Sequence, residues 1–397
     1  MSYSRRQFGH GLCALTALAL MRTAIGGDAP ASWSKDFVQP GYKPMDSDEK
    51  GLWAIMEHAE SEMKTSRFLV RDSEVNSYIH GIICRLSEQY CSDERSYVLR
   101  TPYFNASMAP NGMMQVWTGL LLRCRDEAQL AAILGHETGH YLRRHTLERW
   151  RDVRSKSSFS AFLGLGLAAA GVGYLGTAAD LALVASIFAF SRDQEREADD
   201  IGLRLMANAG YAPSAAPEVW DQLLAEFKGS TAARDTSVLF ATHPLPEERL
   251  ATLKQRADEL GGNSGERGKD AFRTKLASIR PMLVADELAL RQYGRSEIIF
   301  DGLLVDASDD GLLWYAKGEI YRLRNGNGDA DRALSAYARA LRSGNAPAEV
   351  HRSIMLVELR VGAQERAKEA YEAYAKLRPD ASDLEMLQAL LPSTPGP

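Results

Sequence analysis

The sequence predicts a mainly α (α+β) chain: a helical domain with a small sheet, followed by a second domain built only of helices. Three observations predict it. Apolar residues recur at helical spacing over most of the chain beyond residue 48. Strand-like runs are short and confined to Tyr97, Val98, Leu99 and to Met113–Trp117. A 34-residue recurrence marks the C-terminal part, from Trp314 to Pro379. With 397 residues, 45% hydrophobic and 25% charged, the chain has room for two domains with real cores. A net charge of −5 leaves no basic surface to compensate a phosphate backbone, which excludes nucleic acid as a partner.

The N-terminus carries Ser4-Arg5-Arg6-Gln7-Phe8-Gly9, then an apolar stretch to Met21, then small residues through Ala29. This is the pattern of a twin-arginine export signal, assigned to residues 1–27, and it predicts a periplasmic protein. The apolar stretch is too short to span about 30 Å of hydrocarbon. Residues 28–47 are rich in Pro and Gly and read as an extended arm. Export places Cys84, Cys91 and Cys124 in an oxidising compartment. Cys84 and Cys91 can pair only if the helix between them ends first, because two intact turns hold their Cα atoms about 10 Å apart.

Two helices are predicted within residues 48–90. Leu52, Ile55, Met56 and Ala59 form one apolar face, and Val75, Ile79, Ile82 and Leu86 the other. Residues 105–112 read as a loop with an Asn111-Gly112 turn. Met113, Met114, Gln115 and Val116 then read as an edge strand beside a cleft, onto which an extended protein chain would add.

The centre of the first domain is His136-Glu137-Thr138-Gly139-His140, in an apolar run that opens at Glu127 behind an Asp126 N-cap. At about 100° per residue His136 and His140 share one helix face, as two imidazole ligands of one zinc require. Glu137 stands about 100° round from His136, where a general base belongs. His145, five residues past His140, points about 180° away from His136 and reads as a helix-end cation rather than a ligand. A nearly uncharged run over 159–190, interrupted by Asp180 and loosened by glycines, reads as a buried hairpin near the site or as a segment touching a membrane. The helix after it is apolar through Ala198, Gly202, Leu205 and Met206. Glu195 and Asp199 lie on that apolar face, where a carboxylate is costly unless it holds a metal or a charge. Glu195 is therefore read as the third ligand, and Asp199 as acceptor of a hydrogen bond from a ligating imidazole. Glu197 and Asp200 read as solvated.

Taken with Glu195-Arg196-Glu197-Ala198-Asp199 and Thr242-His243-Pro244 followed by Arg249, the HExxH segment resembles the zinc metallopeptidase family of HtpX and the CAAX prenyl proteases. Within that family it is most similar to the exported, TPR-bearing, BepA-like branch. The resemblance implies a gluzincin-type metalloprotease domain over 48–262 with one Zn2+ per chain, and an α-helical TPR domain over 263–397. It implies quality control in the bacterial envelope: cleavage of unfolded or stalled proteins, outer-membrane barrels among them, with the TPR domain docking an assembly machine. A catalytic zinc keeps a fourth position open, and a neutral His243 on a loop can fill it, so His243 is read as a latch, in line with the resemblance. Arg249 would anchor that loop or steady an oxyanion. The family's Asn-Ala segment is matched by Asn105 and Ala106.

Trp314, Lys317, Gly318 and Tyr321 match the start of a TPR, with Ala333, Tyr337 and Ala340 in its second helix. Adding 34 to these gives Ala367, Tyr371 and Tyr374. Residues 285–304 read as a degenerate earlier pair. The other function class is a catalytically silent TPR adaptor or chaperone on a protease scaffold. The intact His136, Glu137, His140 and Glu195 set favours the enzyme, since a scaffold needs no base beside a metal.

Overall fold

The computed structural model describes residues 33–34, 36–155, 190–229, 243 and 247–391. The export signal expected at 1–27, and all of the 159–190 run except Phe190, lie outside the described residues. Residues 1–37 and 38–397 form two units. In the first, the Trp33 and Phe37 rings meet edge to face at 5.2 Å. The helices and strands described all belong to the second. None of these helices is long and apolar enough to cross a membrane.

Helix α1 (Ser47–Thr65) starts where the Asp46 carboxylate accepts from the Asp48 and Glu49 amides, and it buries Leu52, Met56 and Ala59. Helix α2 (Ser73–Leu86), capped in the same way by Asp72, buries Val75, Ile79, Ile82 and Leu86. Both apolar faces are the ones read from the sequence. Because α2 stops at Leu86 and a single 3-10 turn follows, Cys91 folds back to a disulfide with Cys84, their Cα atoms 4.6 Å apart. Cys124 is free and buried.

The sheet has three strands: β1 (Arg95–Leu99), β2 (Ala106–Met108) and β3 (Met113–Trp117), in the order β1-β3-β2. β1 runs parallel to β3 with Val98 opposite Val116, and β2 runs antiparallel to it with Ser107 opposite Gln115. Gly112 turns β2 into β3 at a φ of +85°, with no room for a side chain, since a Cβ there would stand 2.0 Å from the Asp93 carbonyl oxygen. The loop expected over 105–112 thus contains a strand. The edge strand expected at Met113, Met114, Gln115 and Val116 is the central one, buried along its whole length, so its backbone is already paired on both sides. β2 is the edge on that side of the sheet.

Helix α3 (Thr118–Arg123) leads to α4 (Glu127–Leu142), every residue of which is buried. Asp126 caps α4 through the Gln129 amide at 2.9 Å, and Glu127 accepts from the Tyr78 hydroxyl at 2.6 Å. Helix α5 (His145–Ser155) follows; α6 (Arg192–Asn208), opened by a Ser191–Gln194 capping box, packs along α4. Helices α7 (Ala215–Gly229) and α8 (Glu247–Glu259) complete this layer.

The remainder is helical: α9 (Lys269–Lys275), α10 (Arg280–Ala289), α11 (Tyr293–Asp306), α12 (Gly311–Arg324), α13 (Asp329–Arg342), α14 (Glu349–Arg360), α15 (Gln364–Leu377) and α16 (Leu384–Leu390). α12 pairs with α13 and α14 with α15. Ala333, Tyr337 and Ala340 are fully buried in the first pair, and Ala367 and Tyr374 are buried in the second. Gly318 lies directly on the Tyr337 ring, where a Cβ would be only 2.1 Å away. That contact explains glycine at the position.

Candidate metal centre

α4 and α6 approach closely because both are small where they cross. A Cβ on Gly202 would stand 2.9 Å from the His136 backbone nitrogen, and one on Gly139 would stand 3.0 Å from the Ala198 carbonyl oxygen. The close crossing brings the first turn of α6 against the histidine face of α4. Glu195, 1% exposed, puts its carboxylate oxygens 3.6 Å from His136 Nε2 and 3.5 Å from His140 Nε2, and the two Nε2 atoms are 3.1 Å apart.

A tetrahedral metal at about 2.0–2.1 Å from nitrogen and oxygen separates its donors by about 3.3 Å. The donor distances scatter around that value, and both imidazoles converge through the same nitrogen. The set fits zinc. His243 joins it: its Nδ1 lies 3.3 Å from His136 Nε2 and 2.8 Å from Glu195 Oε1, giving four buried donors in one cluster.

Each donor is held from behind. His136 Nδ1 donates to Asp199 Oδ1 at 3.0 Å, the contact expected of Asp199. Arg249, 2% exposed, donates to both Asp199 oxygens at 2.7 and 2.8 Å and pairs with Glu195 Oε2 at 2.5 Å. Its guanidinium thus braces the two carboxylates of α6 rather than facing open space for an oxyanion. Burial alone would raise both carboxyls, but His243 and His140 beside Glu195, and Arg249 and His136 beside Asp199, hold them below the usual range. Burial pushes the His140 imidazole well down, which keeps it neutral, as a ligand must be.

Glu137 is 2% exposed, and burial raises its carboxyl, partly offset by His243 and His136. It accepts from the Met108 backbone amide, while its Oε1, 3.6 Å from His243 Nε2, has no hydrogen-bond partner among the described residues. Residues 105 and 109 bond to β3 (Trp117 amide to Asn105 carbonyl, 3.1 Å; Ala109 amide to Met113 carbonyl, 2.8 Å), so by antiparallel alternation Ala106 and Met108 present their backbone to the other side. The free edge of β2 therefore meets the base. Asn105 is buried beside it, with its Oδ1 unpartnered among the described residues.

Two residues at the centre were not anticipated. Phe190 stacks on His140, ring centroids 3.9 Å apart. Its only sequence signal was its place as the last apolar residue before the Ser191 cap. His145 is not an exposed helix-end cation: it is 1% exposed, touches His140 and also Glu197, and burial lowers its pKa. α4 ends at Leu142, and Arg144 turns the chain at a φ of +60°, which cancels the helical phase.

Residues 70–257 match the model of peptidase family M48. The match includes all four donors, Glu137 and Arg249. Over those residues the chain is similar to peptidase family M48. Mitochondrial metalloendopeptidase OMA1 of Schizosaccharomyces pombe is 34% identical over 161 residues, 40% of this chain and 45% of its own length. The putative beta-barrel assembly-enhancing protease of Vibrio cholerae is 27% identical over 267 residues, 65% of this chain and 50% of its own. The beta-barrel assembly-enhancing protease of Escherichia coli K12 is 26% identical over 291 residues, 71% of this chain and 54% of its own. The chain spans about half the length of the curated relatives it matches. The matched segment contains the buried HExxH site, while the helix pairs beyond residue 263 lie outside it.

Proposed function

We propose that this chain is a zinc-dependent endopeptidase that cleaves protein chains bound in extended form. The observation that carries the reading is Glu137, a buried carboxylate beside a zinc-shaped donor set, with one oxygen unpartnered among the described residues. A binding scaffold would bear that desolvation for nothing. His136, His140 and Glu195 would hold the ion, which when bound polarises a carbonyl and acidifies water. Glu137 takes the proton of the attacking water and delivers it to the leaving amine, a task helped by a carboxyl raised through burial. The client adds to the free edge of β2 around Ala106, gaining affinity from its main chain and little sequence preference.

We assign His243 the role of a latch: its imidazole, buried within the donor set, would leave before a client reaches the metal. The export pattern around Arg5 and Arg6, and relatives named for beta-barrel assembly, support a periplasmic enzyme acting on unfolded or stalled outer-membrane proteins. The helix pairs beyond residue 311, with the TPR-like spacing of their buried alanines and tyrosines, then dock an envelope assembly machine.

Metal content and casein cleavage by the purified protein test the reading. Glu137→Gln should keep zinc and lose about a hundredfold or more in turnover. Undiminished cleavage by that variant overturns the assignment. In the same assay His243→Ala should raise basal cleavage with zinc retained; a fall in cleavage at normal zinc content would place His243 in the reaction itself and remove the latch.

A further inference from the structure

His140 carries a more elaborate support than His136. Its Nδ1 lies 2.9 Å from His145 Nδ1, His145 Nε2 lies 3.0 Å from Glu197 Oε2, and Glu197 Oε1 forms an ion pair with Arg143 Nε at 2.8 Å. One proton arrangement satisfies these contacts when His140 Nε2 keeps its lone pair for a metal. His140 Nδ1–H donates to a bare His145 Nδ1, and His145 Nε2–H donates to Glu197. The carboxylate thereby fixes the tautomer of His145, and His145 fixes the tautomer of His140.

The backbone is shaped to make this contact. A continued helix would carry residue 145 to the far side, but Arg144 takes a left-handed conformation, unfavourable for a residue with a Cβ. It is held there by its amide bond to the Tyr141 carbonyl at 2.9 Å, and by its guanidinium against the Tyr42 hydroxyl at 3.0 Å and the Glu49 carboxylate. The reversal delivers His145, buried, to the back of His140.

We propose that His145 and Glu197 form a positioning relay that orients His140 for zinc, an imidazole-to-imidazole counterpart of the direct Asp199 support behind His136. The proposal rests on the zinc-peptidase reading. It assigns His145 a role in metal affinity and ligand orientation, beyond packing.

The test uses the full-length protein, with zinc affinity measured by chelator competition and the visible spectrum recorded after Co2+ substitution. His145→Phe keeps ring volume but cannot accept a proton, and should weaken zinc binding about tenfold or more and shift the Co2+ bands. His145→Asn, whose Oδ1 can stand where Nδ1 was, should stay within about threefold of the wild type. Wild-type affinity and unchanged bands in His145→Phe overturn the relay, as does an equal loss in His145→Asn. Should His145→Phe fail to fold, Glu197→Gln decides: weaker zinc binding and shifted bands support the relay, unchanged values overturn it. Wild-type protein that takes up neither ion would sink the metallopeptidase reading itself, a result distinct from variants that bind normally.

Discussion

Behind α4 a second carboxyl is buried, with no cation paired to it among the described residues. Glu94, 1% exposed, accepts from the Ser87 hydroxyl at 2.5 Å and meets Thr138 of α4, and burial pushes its pKa up to about 8. Unfolded, it would ionise near its ordinary value. Between these two values the folded state holds a proton that the unfolded state has released, so stability falls as pH rises from about 4.5 to 8, by an amount on the order of a few kcal/mol. Glu94→Gln keeps the hydrogen-bonding shape and removes the titration. Its melting temperature relative to wild type should rise steadily from pH 5 to pH 8. A constant difference across that range would mean that Glu94 is already ionised in the fold. At this scale the sequence was most legible where a single helix imposes phase. His136 and His140 share a face of α4, and Glu195 and Asp199 share one of α6, because about 100° per residue holds from end to end of an unbroken helix. The same arithmetic misplaced His145 because it was carried past Leu142, where Arg144 breaks the helix.

Between elements, the site depends on how closely two helices approach. Gly202 has a helical, not a left-handed, backbone, so its importance comes from space alone: a Cβ there meets His136 backbone atoms at 2.9 and 3.1 Å. Gly202→Ala should push α6 away from α4 and carry Glu195 away from the imidazoles, costing about 1–3 kcal/mol by overpacking together with a loss of zinc affinity. A variant with wild-type melting temperature and zinc affinity would show that the crossing relaxes at no cost. The sheet shows a limit of a different kind. Alternation and β-branched residues reveal strands, but strand order follows from which partners close over each edge, and Ala106, Ser107 and Met108 are too few to show a pattern. β3 and the end of β1 were therefore visible while β2 was not, and an edge was assigned to the strand that has none. Asn105 and Ala106, marked by the family resemblance, fall at the start of the true edge.

Across the whole molecule, the helical tail is not merely appended. Arg123 of α3, 8% exposed, pairs with Glu226 of α7 at 2.9 Å and with Glu287 of α10 at 3.1 Å, and Glu287 also takes Arg295 and Ser296 of α11. The charges lie scattered in sequence from Arg123 to Arg295, with no local pattern to unite them, so nothing at the border expected at 262/263 reveals that α10 shares a buried ion pair with α3. Residues 38–397 form one unit accordingly. A chain ending at residue 262 would leave Arg123 with Glu226 alone and strip apolar cover such as Phe272, Leu283 and Phe300 from their surroundings. Breaking a buried pair of this kind costs about 3–5 kcal/mol, a large share of a typical stability of about 5–15 kcal/mol. A chain ending at residue 309 keeps α9–α11 and the full network, and removes only α12–α16. The shorter chain should be insoluble or melt far below wild type, while the longer one should melt cooperatively with zinc bound. If both truncations behaved alike, the buried charges would have no part in joining the tail to the core, and α9–α11 would belong with the helix pairs that follow.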